Sequence, residues 1–294
     1  MFNTANIPQL VLDETFRGLE SETTSLADEL ASRIEVADIA GVLPTAPSIN
    51  SLAQLRGGIA EGAQPPVEIM DFSSTTYSTL RFVGVGGVAD GVRMSLEAMN
   101  YSALEVIARR CRQQAGAGID AALNTVLTSA ALNTAVAVGG GVWTNPASTP
   151  LDDIQTAVRT CGFGDTICLG NDVGFALQEH PDFTARFSNY SGGAISEGEL
   201  GMALRGIWPN FTNIVIGGRL YNSANPAAAV TLAYQFDGTA WVGHKSDLIM
   251  AEMGSGTSES QRDMRSEIEE IRFTRRVDIV RPHQEMAVVL TGVI

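Results

Sequence analysis

The sequence predicts an α+β chain, and three observations carry that prediction. Apolar residues recur at helical spacing for about thirty residues from Ser102. Short apolar strands alternate with capped helices over roughly 135–225, and the remainder of the chain turns to strand-like alternation. With 294 residues, 45% hydrophobic and 18% charged, the chain can bury a full core and has the wrong balance for a disordered or fibrous protein.

Charge narrows the reading. The 33 acidic residues outnumber 19 basic ones for a formal charge of −14, so a free basic surface for phosphate backbones is not the default expectation. Residues 1–38 hold eight acids against Arg17 and Arg33, which places −6 of the −14 in the first eighth of the chain. Lys245 is the only lysine, so the basic residues are otherwise arginines, whose planar forks suit protein contacts. Cys111, Cys161 and Cys168 have no paired spacing and read as buried thiols of a reducing compartment. The first residues show no basic stretch followed by an apolar one, and no run of eighteen apolar residues occurs, so neither export nor membrane spanning is expected.

Taken in order, residues 1–40 mix acids with apolar residues, and Leu19, Leu26, Leu30 and Ile34 fall on one face of an expected helix that the prolines at 44 and 47 end. Residues 53–92 are rich in Gly and β-formers. Val67–Ile69, Phe72–Tyr77 and Leu80–Val85 are strand candidates in what reads as a long hairpin without a core of its own. Ser102 and Glu105 form a capping box that opens the long helix, which at ~1.5 Å per residue reaches ~48 Å if unbroken to Asn133. Gly116 and Gly118 weaken it and offer a bend.

After a connector at 138–148, Thr149 and Pro150 open a helix to Thr160 with Leu151, Ile154 and Val158 inward. A strand at Thr166–Leu169 follows, then a helix capped by Asn171 and stopped by Pro181. A second capping box, Ser196 and Glu199, starts a helix ending near Gly206, and Asn213–Ile216 is the next strand. Val230–Phe236 and Ala240–Val242, joined at Asp237-Gly238, read as a hairpin. Gly254–Ser260 reads as a polar loop. Ile271–Arg281 alternates with Ile271, Phe273, Val277 and Ile279 on one face and a slip at Arg275, and Ala287–Ile294 reads as a last buried strand.

No segment assembles a catalytic constellation. Gly84-Val85-Gly86-Gly87-Val88-Ala89 fits the Gly-x-Gly-x-x-Ala form of a dinucleotide loop, but the following residues are helical and no second strand ends in an acid at the required spacing. A glycine-rich strand bend accounts for it better. His180, His244 and His283 lie far apart, and no Cys or His pair has ligand spacing. Asp152 and Asp153 are expected in a first helical turn from the macrodipole alone. Arg109, Arg110 and Arg112 read as a solvated or intersubunit face of the long helix. The expectation is therefore no catalytic residue, no metal and no cofactor.

Two segments and the order of parts nevertheless resemble a known family. Thr166-Ile167-Cys168-Leu169 through His180-Pro181-Asp182-Phe183 is similar to an apolar strand, short helix and His-Pro ending. Ser196 through Ile214-Val215-Ile216-Gly217 and Tyr221-Asn222 is similar to the helix, strand and Tyr-Asn turn that come next. The succession of arm, Gly-rich hairpin, long helix, α/β module and late strands covers nearly the whole chain. In these respects the sequence resembles the tailed-phage major capsid proteins of the Hong Kong 97-like fold.

The resemblance implies an N-terminal arm at 1–45 and an extended loop at 53–92. It further implies a peripheral domain from 93–134 and 226–294 with a spine helix at 102–133, and an axial domain at 135–225. It implies a non-enzymatic protein that assembles as hexamers and pentamers into an icosahedral or prolate shell around double-stranded DNA, with portal and scaffold proteins as partners, a decoration protein as a further one, and no membrane. The location implied is the virion, after assembly in the bacterial host cytoplasm. Leu26, Leu30, Ile34, Phe72, Tyr77, Arg81, Arg109 and Arg112 are the expected intersubunit contacts. Having no lysine in the loop, the chain is not expected to make the lysine–asparagine cross-link of some members, and with Met1 present it is expected to escape N-terminal cleavage. Acids are expected outside the shell or paired with arginines of neighbours. An encapsulin-like compartment is the alternative within the fold, and a dinucleotide-binding enzyme using 84–89 a more distant one.

Overall fold

A computed structural model describes residues 25–45, 73–98, 103–186, 194–217, 220–222, 232–234, 236–254, 256–263 and 268–294. Residues 1–24, the expected strand Val67–Ile69, Phe72 and the expected helix cap Ser102 lie outside them.

In chain order the elements are α1 (Leu26–Leu30), β1 (Ser32–Glu35), β2 (Ala40–Thr45), β3 (Ser73–Ser78), β4 (Leu80–Ala89), α2 (Asp90–Ala98) and α3 (Ala103–Thr128). Next come β5 (Thr134–Ala137), α4 (Pro150–Thr160), β6 (Thr166–Leu169), α5 (Asn171–Glu179), α6 (Pro181–Thr184), α7 (Glu197–Ile207) and β7 (Asn213–Ile216). The last are β8 (Leu220–Asn222), β9 (Leu232–Tyr234), β10 (Ala240–Gly243), β11 (Ile249–Glu252), β12 (Thr257–Asp263), β13 (Ile268–Val280) and β14 (Ala287–Thr291). The mixture of helices and sheets is the α+β class expected.

Two sheets organise the chain. In one, strands run β5-β14-β10-β6-β7, so the helix–strand alternation of the middle of the sequence is completed by two late strands. The C-terminal strand β14 sits inside this sheet, parallel to β5 and antiparallel to β10. Its core, around Trp143, Ile154, Leu169, Phe183, Leu200 and Phe211, is fully closed to solvent. In the other sheet β13 is central: β12 and β11 share one of its edges, β4 takes the other, and β1 adds in parallel beyond β11. A second core under α3 joins Leu30, Ile119, Leu123, Trp241, Met250 and Val277.

Several expectations change in the folded chain. The helix expected through Leu30 to Ile34 spans only α1 among the described residues. Ala31 turns extended and Ser32–Glu35 instead pairs with Ile249–Glu252, satisfying backbone groups that a longer helix would withhold from the sheet. Leu43-Pro44 ends nothing: both lie in β2, an edge strand where a proline without an N–H is tolerated, paired with β3. Of the long hairpin expected over 53–92, the part before Ser73 lies outside the described residues; within the rest β3 and β4 do not pair with each other, since β3 pairs with β2 and β4 with β13. Nor does Val230–Phe236 pair with Ala240–Val242; β9 pairs with β8, and β10 lies between β14 and β6. The polar stretch at 254–260 is not a loop throughout, since Thr257 onward belongs to β12.

Helix ends also differ. Helix α3 is unbroken for 26 residues, about 39 Å, and stops at Thr128 rather than Asn133. The Asn133 side-chain amide donates to the carbonyls of Val126, Leu127 and Ser129 at 2.8, 3.1 and 2.9 Å, occupying acceptors that a further turn would need. Thr149 makes no side-chain cap, and Gly170 rather than Asn171 is the N-cap of α5. The Ser196–Glu199 capping box forms as expected.

Candidate functional site

The glycine motif is a packing device. A Cβ on Gly84 would stand 1.7 Å from the Cys111 carbonyl oxygen, and one on Gly86 would stand 2.7 Å from Ile107 Cγ2. From the other side, a Cβ on Gly118 would stand 2.9 Å from Phe82 Cδ1. Strand β4 therefore lies directly on α3, and the space a pyrophosphate would need beside 84–86 is filled by the helix. No bend occurs at the glycines; they lie within an unbroken strand.

One row of side chains has the residue types of a catalytic triad. Ser148 Oγ lies 3.2 Å from His180 Nε2, and the ring's Nδ1 lies 4.0 Å from Asp182 Oδ2. Proton bookkeeping makes it a cap instead. Nδ1 accepts from the Asp182 backbone N–H at 3.2 Å, so the proton of the neutral ring sits on Nε2, which cannot then take one from serine. Ser148 donates to the Asn145 carbonyl at 2.8 Å. Beyond the His-Pro pair no local signal marks this cluster, because the three residues belong to a connector and a helix start.

Asp153 departs from the macrodipole reading: it is buried and accepts from Trp143 Nε1 and Gly139 N, both at 2.9 Å, whereas Asp152 is exposed. All three cysteines are buried, and burial pushes the Cys111 thiol up to about 11 and Cys168 up to about 12. Among the described residues no group of three His, Cys, Asp or Glu side chains is arranged to hold a metal ion.

Among the described residues, two structural networks of charged side chains stand out whose members lie far apart along the chain, so that sequence reasoning missed them. In the first, Arg275 binds Asp28 of α1 and Glu252 of β11 together, and Arg33 of β1 reaches the same Glu252 at 2.8 Å. Arg275 thus fills the slip in the β13 pattern. Burial alone would lower its pKa, but the hydrogen bonds it donates to Glu252 and Asp28, together with their negative charges, raise it above the ordinary arginine value. In the second, Asp247 accepts from Arg281 Nε at 3.2 Å and pairs with His283 Nδ1 at 2.6 Å. Arg281 also donates to Asn133 Oδ1, which Trp241 Nε1 reaches at 2.8 Å. Burial holds Arg281 below the usual arginine value despite Asp247.

The residues expected at intersubunit contacts are scattered. Leu30 is fully enclosed in the chain's own core with Leu26 packed beside it, and Tyr77 is buried against Val36 and Leu43 with Ile34 alongside. The apolar surface of Leu30 and Tyr77 is spent within one chain, whereas Leu26 and Ile34 stay partly exposed. Arg81 is exposed and donates to Thr274 Oγ1, Arg109 pairs with Glu105 at 3.3 Å on α3, and Arg112 lies 5.6 Å over the Phe273 ring. Large apolar side chains stay exposed elsewhere: Val83 and Val85 on β4, Val106 on α3, Phe163 after α4, Phe175 on α5 and Met202 on α7.

Known structures share this architecture. A phage-related protein from Bordetella bronchiseptica RB50 is 14% identical, with a TM-score of 0.68 over 99% of this chain and 98% of that one. The capsid structure of the cyanophage P-SCSP1u is 10% identical, with a TM-score of 0.55 over 91% and 88% of the two chains. A virus-like particle from Pyrococcus furiosus is 11% identical, with a TM-score of 0.56 over 95% and 97%. No protein-family model matches the chain, and no curated protein matches it in sequence. The fold is therefore that of phage and virus-like-particle shell structures.

Proposed function

We propose that this chain is a major capsid protein that assembles into the head shell of a tailed bacteriophage around double-stranded DNA. The observation that carries the reading is the end-to-end likeness to a phage-related protein and a phage capsid, over nine-tenths or more of this chain. It is supported by exposed apolar side chains on several elements, which a shell subunit covers with neighbours. Contacts of such obligate assemblies commonly bury ~2,000–5,000 Å², so apolar burial rather than any single bond holds the shell.

Within this reading 1–45 is the arm, 53–92 the extended loop, 93–134 with 226–294 the peripheral domain around α3, and 135–225 the axial domain of a Hong Kong 97-like subunit. Leu26, Ile34, Phe72, Arg81, Arg109 and Arg112 remain the contact residues proposed, with hexamers and pentamers as the capsomers, portal and scaffold proteins as assembly partners and the host cytoplasm as the place of assembly. The likeness to a virus-like particle supports a second reading, an encapsulin-like compartment. Particles purified from infected or expressing cells separate the two: nuclease-protected double-stranded DNA supports the head shell, and a co-purified cargo enzyme without DNA supports the compartment.

A further inference from the structure

Two helix ends meet at one exposed corner. Phe163 follows α4 and Trp208 follows α7; their rings stack at 5.1 Å with 28° between planes, and Trp208 Nε1 donates to the Gly164 carbonyl at 3.0 Å. Phe163 is 56% exposed although its backbone holds φ at +68°, a left-handed conformation that a non-glycine residue adopts only at a cost. Arg159 and Arg205, in the last turns of α4 and α7 and four and three residues before Phe163 and Trp208, are exposed. Arg186 is exposed too, its Nη1 3.7 Å from where a Cβ of Gly206 would stand. The helix dipoles favour arginines there. Yet none of the three meets a carboxylate among the described residues, whereas Arg33, Arg109, Arg272, Arg275 and Arg281 each do.

The start of α7 carries the opposite character. Glu197 is exposed in its first turn, and the Ile195 N–H donates to the Gln178 carbonyl at 3.0 Å, bringing this turn to Glu179 at the end of α5. Phe175, one turn before Glu179, is 63% exposed. The 11 residues of α7 separate the two corners by about 16 Å. An aromatic corner bearing positive charge and one bearing negative charge thus stand at opposite ends of one helix, where they cannot meet within a chain.

We infer that the Phe163–Trp208 corner of one copy, with Arg159, Arg186 and Arg205, docks on the Glu179–Glu197 corner of the next copy. The existence of neighbours rests on the shell reading; the place where they meet rests on this charge match. The contact is head to tail, so it closes into rings or continues as an array. Copies that each carry −14 repel at long range, and a complementary pair of corners offsets that repulsion and fixes orientation.

The test is a charge swap in the full-length protein, with assembly followed by light scattering and sedimentation at low salt. Arg205→Glu and Glu197→Arg alone each raise the concentration needed for assembly about tenfold, and the double variant returns it to within about threefold of the original. Effects on the helix itself run the other way: the double variant opposes the dipole at both ends of α7 and melts at the lowest temperature of the four proteins. Phe163→Ala, which leaves the charges in place, also raises the assembly concentration. A double variant no better than the single ones overturns the contact, and so do single variants that assemble like the original protein; particles formed in either case leave the shell reading intact. An original protein that never assembles removes both. A fluorescein-labelled oligothymidylate provides the last arm: binding that Arg205→Glu abolishes, with assembly unchanged, overturns the contact in favour of a nucleic-acid site.

Discussion

Arg275 on β13 grips Asp28 on α1 with two hydrogen bonds, Nη2 to Oδ1 at 2.9 Å and Nη1 to Oδ2 at 3.1 Å, across 247 residues of sequence. The same guanidinium holds Glu252 at 2.8 and 3.0 Å, so one arginine fastens the first described helix to the central strands of the second sheet. Of the acids in the first 38 residues, Asp28 is thus neutralised by an arginine of its own chain.

Removing this clamp has a predictable cost. Arg275→Ala leaves Glu252, whose side chain is 2% exposed, with only Arg33, and we expect a loss of about 3 kcal/mol in urea unfolding. Burial pushes the Asp28 carboxyl up, but Arg275 and Ser25 outweigh it and leave its pKa below the ordinary 3.8. A folded-state pKa below the unfolded one means the stabilisation is complete above about pH 4 and is lost as pH falls through the depressed value. Protection of the amides of residues 25–36, that is, exchange corrected for the intrinsic amide rate at each pH, is expected to fall only below about pH 4; a fall between pH 5 and 7 would contradict this.

The β4–α3 contact sets a steric limit. Gly84→Ala places a methyl group 1.7 Å from a helix carbonyl oxygen and is expected to destabilise the chain by about 3 kcal/mol or more. Gly201→Ala in α7, where a Cβ meets nothing within 4 Å, is expected to stabilise by about 0.5–1 kcal/mol. Thermal melts of the two variants check both signs.

Asn133 ends α3 and joins it to Trp241 and Arg281. Asn133→Ala orphans two buried donors and a set of helix carbonyls, and a loss of about 3 kcal/mol is expected in denaturant unfolding. A loss under 1 kcal/mol would show that water replaces the side chain.

The thiols are expected to be inert. With Cys111 raised to about 11 and Cys168 to about 12 by burial, a thiol reagent at pH 8 should modify none of the three in the native protein and all three in denaturant.

Local signals in the sequence told the elements well and their partners poorly. The apolar repeat of α3, the Ser196–Glu199 box and the run Thr166–Leu169 each state their structure through neighbours a few residues away, and each forms. Pairing was not legible, because β4 with β13 and β10 with β6 join strands separated by long stretches of chain, and nothing local encodes such a register. The same cause hid the Arg275 clamp: the slip at 275 marked an irregularity in the strand, while its explanation lay at Asp28 and Glu252. Gly84 and Gly86 were visible as a motif, but only the helix laid against them says why they are glycine.

Electron micrographs of the purified protein at micromolar concentration test the central claim most directly. Closed shells, or the rings of five and six from which they are built, are the predicted result. A field of separate compact particles of a single 31.1 kDa chain, unchanged by concentration or salt, would contradict it.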